Sequence, residues 1–182
     1  FGGIGSRVFW RIRCCFELLM KLVSFTPSSP GLDIALDAQI EVQRHGFLLS
    51  FEITGSGADK VLMNAKNPKP SRKNELWKET CFECFFGVGN SKQYFEFNGS
   101  PTGEWALYSF DDYRTGMKDV LVKDAKDAPV LEKIERSPGK ILCVWRVPYF
   151  TKVILQSASL VAVLKTSTSP EDVLYLALKH AG

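Results

Sequence analysis

Two glutamates and an asparagine stand at alternating positions in two aromatic segments of the chain. Glu83 follows Phe82, and Glu96 and Asn98 flank Phe97. Successive side chains of a β-strand point to opposite faces, so Glu96 and Asn98 would share one face and the phenylalanines would take the other. Carboxylates and amides form hydrogen bonds with neighbouring sugar hydroxyls. The spacing therefore predicts a polar ligand site if the two strands align these faces.

Aromatic rings and one cation near these positions would complete such a site. Trp77, Trp105 and Tyr108 are candidates for a ring that covers the apolar face of a pyranose. Arg114 follows two aspartates and a tyrosine, where its guanidinium would either hold a ligand oxygen or close a local ion pair. The predicted ligand is a carbohydrate or another small polar molecule.

The same residues also have a purely structural interpretation, and the sequence leaves both open. Glu83 and Glu96 would then pair with Arg114 or Lys92 and satisfy a buried hydrogen-bond network. Aromatic residues in strands are mostly core residues, and this applies to Trp105. Buried carboxylates are uncommon, which is the reason to consider a ligand site beside this interpretation.

Catalysis and cofactor binding are not predicted. Two carboxylates can flank a glycosidic bond, but facing carboxylates on neighbouring strands would repel or share a proton, and no other residue suggests hydrolysis. Cys81 and Cys84 have redox spacing, but a strand directs their sulfurs to opposite faces, so both should be free thiols. His45 and His180 do not form a zinc pattern with the cysteines, and no glycine-rich phosphate loop precedes a helix.

The elements that must position these residues are short strands. Residues 47–53 alternate between apolar and polar, and residues 40–42 precede them across a short turn, as in a hairpin. Further strands are predicted at residues 60–63, 80–86, 93–98, 104–110, 130–136, 140–147, 152–155, 159–165 and 173–179. Glycine and proline turns separate most of them. The predicted fold class is all-β, an antiparallel two-sheet β-sandwich.

Composition is ordinary for a globular domain and argues against several classes of partner. Of the 182 residues, 45% are hydrophobic and 24% are charged, and the net charge is +3. This weak and mixed charge argues against a nucleic-acid partner. The five cysteines are an odd set scattered through apolar runs, which predicts reduced thiols in a cytoplasmic protein.

Residues 1–19 stand apart from the strand pattern. Charged residues interrupt the apolar stretch, so no membrane span is predicted. The preferred interpretation is an upstream extension, followed by a single domain at residues 20–182. The alternative is a basic amphipathic helix that lies on a membrane surface or a partner.

Five short motifs occur in a fixed order in the centre of the chain. They are Leu-Trp at 76–77, Thr-Cys-Phe-Glu at 80–83, Glu-Phe-Asn at 96–98, Ser-Pro-Thr-Gly-Glu-Trp at 100–105 and Tyr-Arg-Thr-Gly-Met at 113–117. This set resembles the bacterial DOMON-like proteins related to family nine carbohydrate-binding modules. The resemblance implies a jelly-roll-like sandwich with a site for a sugar-related or other small ligand.

The chain departs from that family near its end. Tyr175 is followed by Leu176 where the family commonly has an aromatic pair, and relatives usually continue into a tail that would add to the site. Some other DOMON domains bind haem through methionine and histidine, and Met63 or Met117 with a histidine is the corresponding set here. The prediction is a non-catalytic, carbohydrate-binding-like module. The alternatives are a protein-interaction sandwich with a protein partner, and a haem-binding DOMON domain.

Overall fold

The computed structural model describes Trp10–Arg11, Glu17–Ser24 and residues 33–177. Within these residues the chain forms the strands β1 (Trp10–Arg11), β2 (Glu17–Ser24), β3 (Ala35–Gln43), β4 (Gly46–Thr54), β5 (Cys81–Val88), β6 (Tyr94–Gly99), β7 (Trp105–Phe110), β8 (Lys118–Asp119), β9 (Val130–Ser137), β10 (Lys140–Pro148), β11 (Leu155–Thr166) and β12 (Ser169–Ala177). Single 3-10 turns occur at Ala58–Lys60, Leu76–Lys78 and Ala125–Asp127. None of these described helical turns is long and apolar enough to cross a bilayer.

The strands form two antiparallel sheets. Sheet 1 has the order β8-β7-β6-β5-β11-β12, and sheet 2 has the order β2-β3-β4-β10-β9. β2 joins them, because most of its length pairs with β3 while Val23 and Ser24 pair with β12. β1 pairs with β11. The predicted all-β, two-sheet sandwich is therefore confirmed.

The core lies between the facing sides of the two sheets. In β4 the side chains of Phe47, Leu49, Phe51 and Ile53 are buried, which confirms the predicted strand and its hairpin with β3. Three phenylalanine rings of sheet 1 pack against aromatic rings of sheet 2. The pairs are Phe82 with Phe51, Phe86 with Phe47, and Phe97 with Trp145 of β10. Burial of these apolar faces is the main favourable contribution to folding.

One glycine allows the sheets to approach closely. A Cβ on Gly99 would lie 2.5 Å from the indole ring of Trp145. Since real Cβ atoms do not come so near, any larger residue at this end of β6 would push the two sheets apart.

Two predicted strands are wrong. Residues 60–63 form the end of a 3-10 turn, followed by a single bridge between Val61 and Thr166, because the chain leaves the sheet after one pair. Residues 152–154 lie in the loop before β11, which begins at Leu155. The other predicted strands correspond to strands of the structure, although their ends differ by a few residues.

β2 begins at Glu17, so the predicted domain boundary at Met20 falls within a strand. Glu17, Leu18 and Leu19 are in register with Glu41, Ile40 and Gln39 of β3. Whether the chain before this strand is foreign to the sandwich stays a prediction.

Candidate functional site

The predicted polar residues meet on the face of sheet 1 that points away from sheet 2, here called the outer face. Since Phe82 and Phe97 enter the core, Glu83 and Asn98 take the other side of β5 and β6. The register places Glu83 opposite Asn98 and places Glu96 opposite Tyr108 of β7. Three neighbouring strands thus supply the predicted cluster.

Direct hydrogen bonds connect the members of this cluster. The amide Nδ2 of Asn98 donates to Oε1 of Glu96 at 2.8 Å. The thiol of Cys81 donates to Oδ1 of Asn98 at 3.6 Å. Burial raises the pKa of the Cys81 thiol, and the negative charges of Glu83 and Glu96 raise it further. The thiol therefore stays protonated and able to donate.

A loop covers the cluster. Residues 72–80, here called the strap, cross the outer face, and their 3-10 turn packs on β5 and β6. Leu76 is buried in an apolar cluster with Cys81 and Tyr108. Glu83 is 6% exposed and Asn98 is fully buried. The predicted ligand site is therefore not open to solvent at Glu83 and Asn98, and the strap packs on the same face of the sheet.

Polar contacts from Arg72 hold the strap on the sheet. Its guanidinium donates to Asn74 Oδ1 at 2.8 Å, pairs with Asp119 of β8 and lies 5.4 Å from the centre of the Tyr108 ring. The hydroxyl of Tyr108 donates to the same Asn74 oxygen at 2.9 Å. Trp77 meets Tyr108 edge to face with ring centres 5.9 Å apart. Trp77 and Tyr108 are thus on the predicted face, where each contacts the other.

Trp105 is not on this face. It pairs with Gly99 across β6 and β7 and packs into the core between the sheets, where it is 8% exposed. Trp105 and Tyr108 are three positions apart on one strand, so their side chains point to opposite faces. The prediction that Trp105 walls the polar site is wrong.

An open groove lies on the same face, at the end of the sheet near the turn between β5 and β6. This hairpin groove has a volume of about 320 Å³. The described residues that line it are Gly87, Gly89, Ser91, Lys92, Gln93, Tyr94, Asp112, Tyr113 and Ser157. It combines hydroxyl, amide and charged groups with two tyrosines. None of the predicted site residues is among these lining residues.

Aromatic rings form one side of the hairpin groove. Tyr94 is buried and stacks on Phe110 with parallel rings 4.6 Å apart. Tyr113 is 46% exposed, so much of its ring is open to solvent. Tyr94 belongs to β6, two residues before Glu96, so the covered cluster and the groove share a strand.

The charged groups of the groove are paired. Lys92 Nζ lies 3.1 Å from Asp112 Oδ2, so Lys92 pairs with Asp112 and not, as one interpretation of the sequence had it, with Glu83 or Glu96. The backbone N–H of Tyr113 donates to Asp112 Oδ1 at 2.7 Å. This hydrogen bond, followed by the bond from Lys92, lowers the pKa of Asp112. The carboxylate is therefore ionised and fixed in the groove wall.

Arg114 contacts two residues that line the groove, although it does not line the groove itself. Its guanidinium lies 5.3 Å from the centre of the Tyr113 ring, and its backbone N–H donates to the hydroxyl of Tyr94 at 3.4 Å. Its φ of 56° is in the left-handed region, which a residue with a Cβ rarely adopts.

A second groove of about 380 Å³ lies at the opposite end of β5. Its wall includes Thr80, Ser100 and the ion pair of Lys165 with Glu79, whose atoms are 2.9 Å apart. The Thr80 hydroxyl donates to the carbonyl of Leu62 at 2.6 Å and accepts from the N–H of Lys165 at 3.2 Å. No aromatic ring is among the described residues that line this second groove, so the hairpin groove is the better candidate for a sugar.

Neither a metal nor a disulfide is indicated by the residues that the structure describes. These residues contain no group of three or more histidine, cysteine or acidic side chains placed to hold a metal ion. Cys81 and Cys84 are free thiols that face opposite sides of β5, so the prediction for this pair is confirmed. His180, Cys14 and Cys15 lie outside the described residues.

Comparison with known proteins supports the fold. No protein-family model matches the chain, and no curated protein matches it. A solved structure that does match is the crystal structure of a putative carbohydrate-binding protein from Bacteroides uniformis, with a TM-score of 0.55 and 9% sequence identity. The match covers 88% of this chain and 76% of that chain. At this identity the likeness shows a shared β fold and leaves the site to be argued from its own residues.

Sequence reasoning missed Tyr94, Tyr113 and Asp112 as groove residues. The available signals were the two turns that meet there: Gly87 to Asn90 after β5, and the Tyr-Arg-Thr-Gly segment after β7. The sequence identifies the first only as a connection, and in the second it identifies Arg114 as a candidate but not its neighbours Asp112 and Tyr113. Turns that are adjacent in space often carry binding residues, but their adjacency is set by sheet register.

Proposed function

We propose that this chain is a non-catalytic module that binds a carbohydrate or a similar small polyhydroxylated ligand in the hairpin groove. The observation that carries the proposal is the exposed ring of Tyr113 beside the polar side chains of Ser91, Gln93 and Ser157 in a concave site. The ring supplies a surface for the apolar face of a sugar, and the hydroxyl and amide groups supply partners for its hydroxyls.

Two other findings support a ligand-binding module. The fold is shared with a protein described as carbohydrate-binding. The ordered motifs at residues 76–117 further favour a DOMON-like, jelly-roll type of sandwich. The cytoplasmic location inferred from the cysteines stays a prediction.

The covered cluster has a supporting role in this proposal. Glu96 and Asn98 are bonded to each other on β6, and Tyr94 on the same strand lines the groove. Fixing β6 fixes the ring of Tyr94, because backbone position determines where a strand side chain points. Direct contact of Glu83 or Asn98 with a ligand would require their cover to move, whereas Glu96 is half-buried.

Tyr113→Ala tests the proposal. A glycan array identifies a ligand, and isothermal titration calorimetry then compares the variants. We expect Tyr113→Ala to weaken binding by about tenfold or more, the scale of one lost aromatic contact. Tyr175→Ala is a matched control, because Tyr175 is a similarly exposed tyrosine on β12 and does not line the groove. Equal affinity of wild type and Tyr113→Ala for every glycan that binds would contradict the proposal.

A protein-interaction sandwich is the second candidate function. It is favoured by the loop between β10 and β11, where Val153 and Ile154 are 47% and 76% exposed. Exposed adjacent apolar side chains can mark a contact surface. Sedimentation velocity over a range of concentrations would support this candidate if self-association appears and Ile154→Ser abolishes it. A monomer at every concentration would count against it.

A further inference from the structure

The turn that carries Arg114 is held in one conformation by its own hydrogen bonds. Thr115 N–H donates to the carbonyl of Asp112 at 3.0 Å, and Asp111 N–H donates to the carbonyl of Thr115 at 3.1 Å. The hydroxyl of Tyr94 receives the N–H of Arg114 itself. A left-handed conformation is unfavourable for a residue with a Cβ. The turn therefore keeps Arg114 at a strained position beside the groove.

The charged side chains nearest to Arg114 in the chain are already paired with one another. Lys92 pairs with Asp112, and Lys118 pairs with Asp111 at 3.0 Å. Among the residues that the structure describes, no acidic side chain lies within ion-pair distance of Arg114. Among the side chains that the structure describes around this turn, the two lysines and two aspartates cancel, which leaves the positive charge of Arg114.

The position of the guanidinium suits an anion that is bound together with the groove. It lies over the ring of Tyr113, and both residues follow Asp112, which lines the groove. This cation–π contact attracts the guanidinium to the ring and leaves its N–H groups able to donate to a ligand. A planar guanidinium binds a carboxylate through two parallel hydrogen bonds, which a lysine ammonium does not reproduce.

We propose that the ligand of the hairpin groove is an acidic carbohydrate, and that Arg114 binds the carboxylate of a uronic-acid type of sugar residue. The sugar lies in the groove against the part of Tyr113 that Arg114 leaves exposed, and its carboxylate meets the guanidinium beside that ring. This inference rests on the proposed carbohydrate-binding function and specifies its ligand class.

The test uses an array on which each carboxylated glycan is printed beside its methyl-esterified form. The two forms have the same sugar ring and length and differ in charge. We expect the acid to bind about tenfold tighter than the ester. The preference should shrink as salt is raised, since the guanidinium is exposed and its charge is screened.

Arg114→Gln should reduce affinity for the acid to about that of the ester, while affinity for the ester changes less than about twofold. Arg114→Lys should recover only part of the preference, because it restores the charge and not the planar fork. Lys126→Gln is the control, because it removes one positive charge from an exposed residue in the Ala125–Asp127 turn. An unchanged thermal midpoint establishes that each variant is folded.

The outcomes separate the two proposals. Equal binding of acid and ester, lost in Tyr113→Ala, would overturn the acidic-ligand inference and leave the carbohydrate-binding function standing. A preference for the acid that survives Arg114→Gln would overturn the role of Arg114. Binding only of sulfated glycans would overturn the choice of carboxylate. If no glycan, acidic or neutral, binds in a manner that depends on Tyr113, the proposed function itself fails.

Discussion

Asn98 is the residue on which the covered polar cluster depends. Its amide donates to Glu96, its carbonyl oxygen accepts from Cys81, and it has no exposed surface. An amide can do both at once because it carries a donor and an acceptor on one planar group. The identity of this residue is therefore dictated by its two neighbours.

Replacing Asn98 by Ala should lower the free energy of unfolding by about 1–3 kcal/mol, the cost of leaving buried polar partners without a hydrogen bond. The measurement is urea unfolding followed by tryptophan fluorescence. Gln93→Ala is the control, because Gln93 is exposed in the groove and its loss should change stability by less than about 0.5 kcal/mol. Equal stabilities of the Asn98 variant and wild type would show that the cluster does not contribute to the fold.

At the scale of elements, the strap decides which polar residues of sheet 1 a ligand can reach. Its turn begins after Glu75, whose φ of 61° is left-handed, and ends when Glu79 returns to extended backbone. One apolar side chain, Leu76, is then directed onto the sheet. The hairpin groove remains open because the strap ends over the opposite part of β5.

Leu76→Ala should loosen the strap and lower the free energy of unfolding by about 2–3 kcal/mol. This value is near the lower end of the range for truncating a buried leucine, because Leu76 lies at the edge of its apolar cluster. Lys78→Ala in the same turn should have little effect, since Lys78 is exposed and pairs only with Glu75. Hydrogen exchange would show faster exchange in the strap of the Leu76 variant. A variant as stable as wild type would mean that polar contacts alone hold the strap.

At the scale of the whole molecule, β2 connects the two sheets. Its first residues pair with β3 of sheet 2, and its last two pair with β12 of sheet 1. A strand shared in this way closes one side of the sandwich and hides two sheet edges that would otherwise expose unpaired backbone groups.

Removal of residues 1–24, which deletes β1 and β2, should lower the thermal midpoint strongly or prevent folding. Removal of residues 1–9 leaves both strands and should have a small effect. Calorimetry of the two truncated proteins measures the difference, with circular dichroism to establish the β content. If the shorter protein is as stable as the longer, the two sheets do not depend on β2.

Much of the fold follows from the sequence because strand alternation is a local property. The β3–β4 hairpin, and the division of Phe82, Phe97 and Glu83 between two faces, come from a period of two that needs no knowledge of partners. Alternation alone predicts that Glu96 and Asn98 share a face, without knowledge of the strand register. The same rule, applied to β7, separates Trp105 from Tyr108.

Only the tertiary structure decided which polar residues are reachable. The strap is close to β5 along the chain, yet its position over Glu83 and Asn98 depends on contacts of Arg72 with β8, far along the chain. The hairpin groove arises because two turns, around Gly89 and Arg114, meet at one end of the sheet. Residue types and spacing set the faces of each strand, whereas burial and pocket formation depend on long-range packing that a local pattern does not encode.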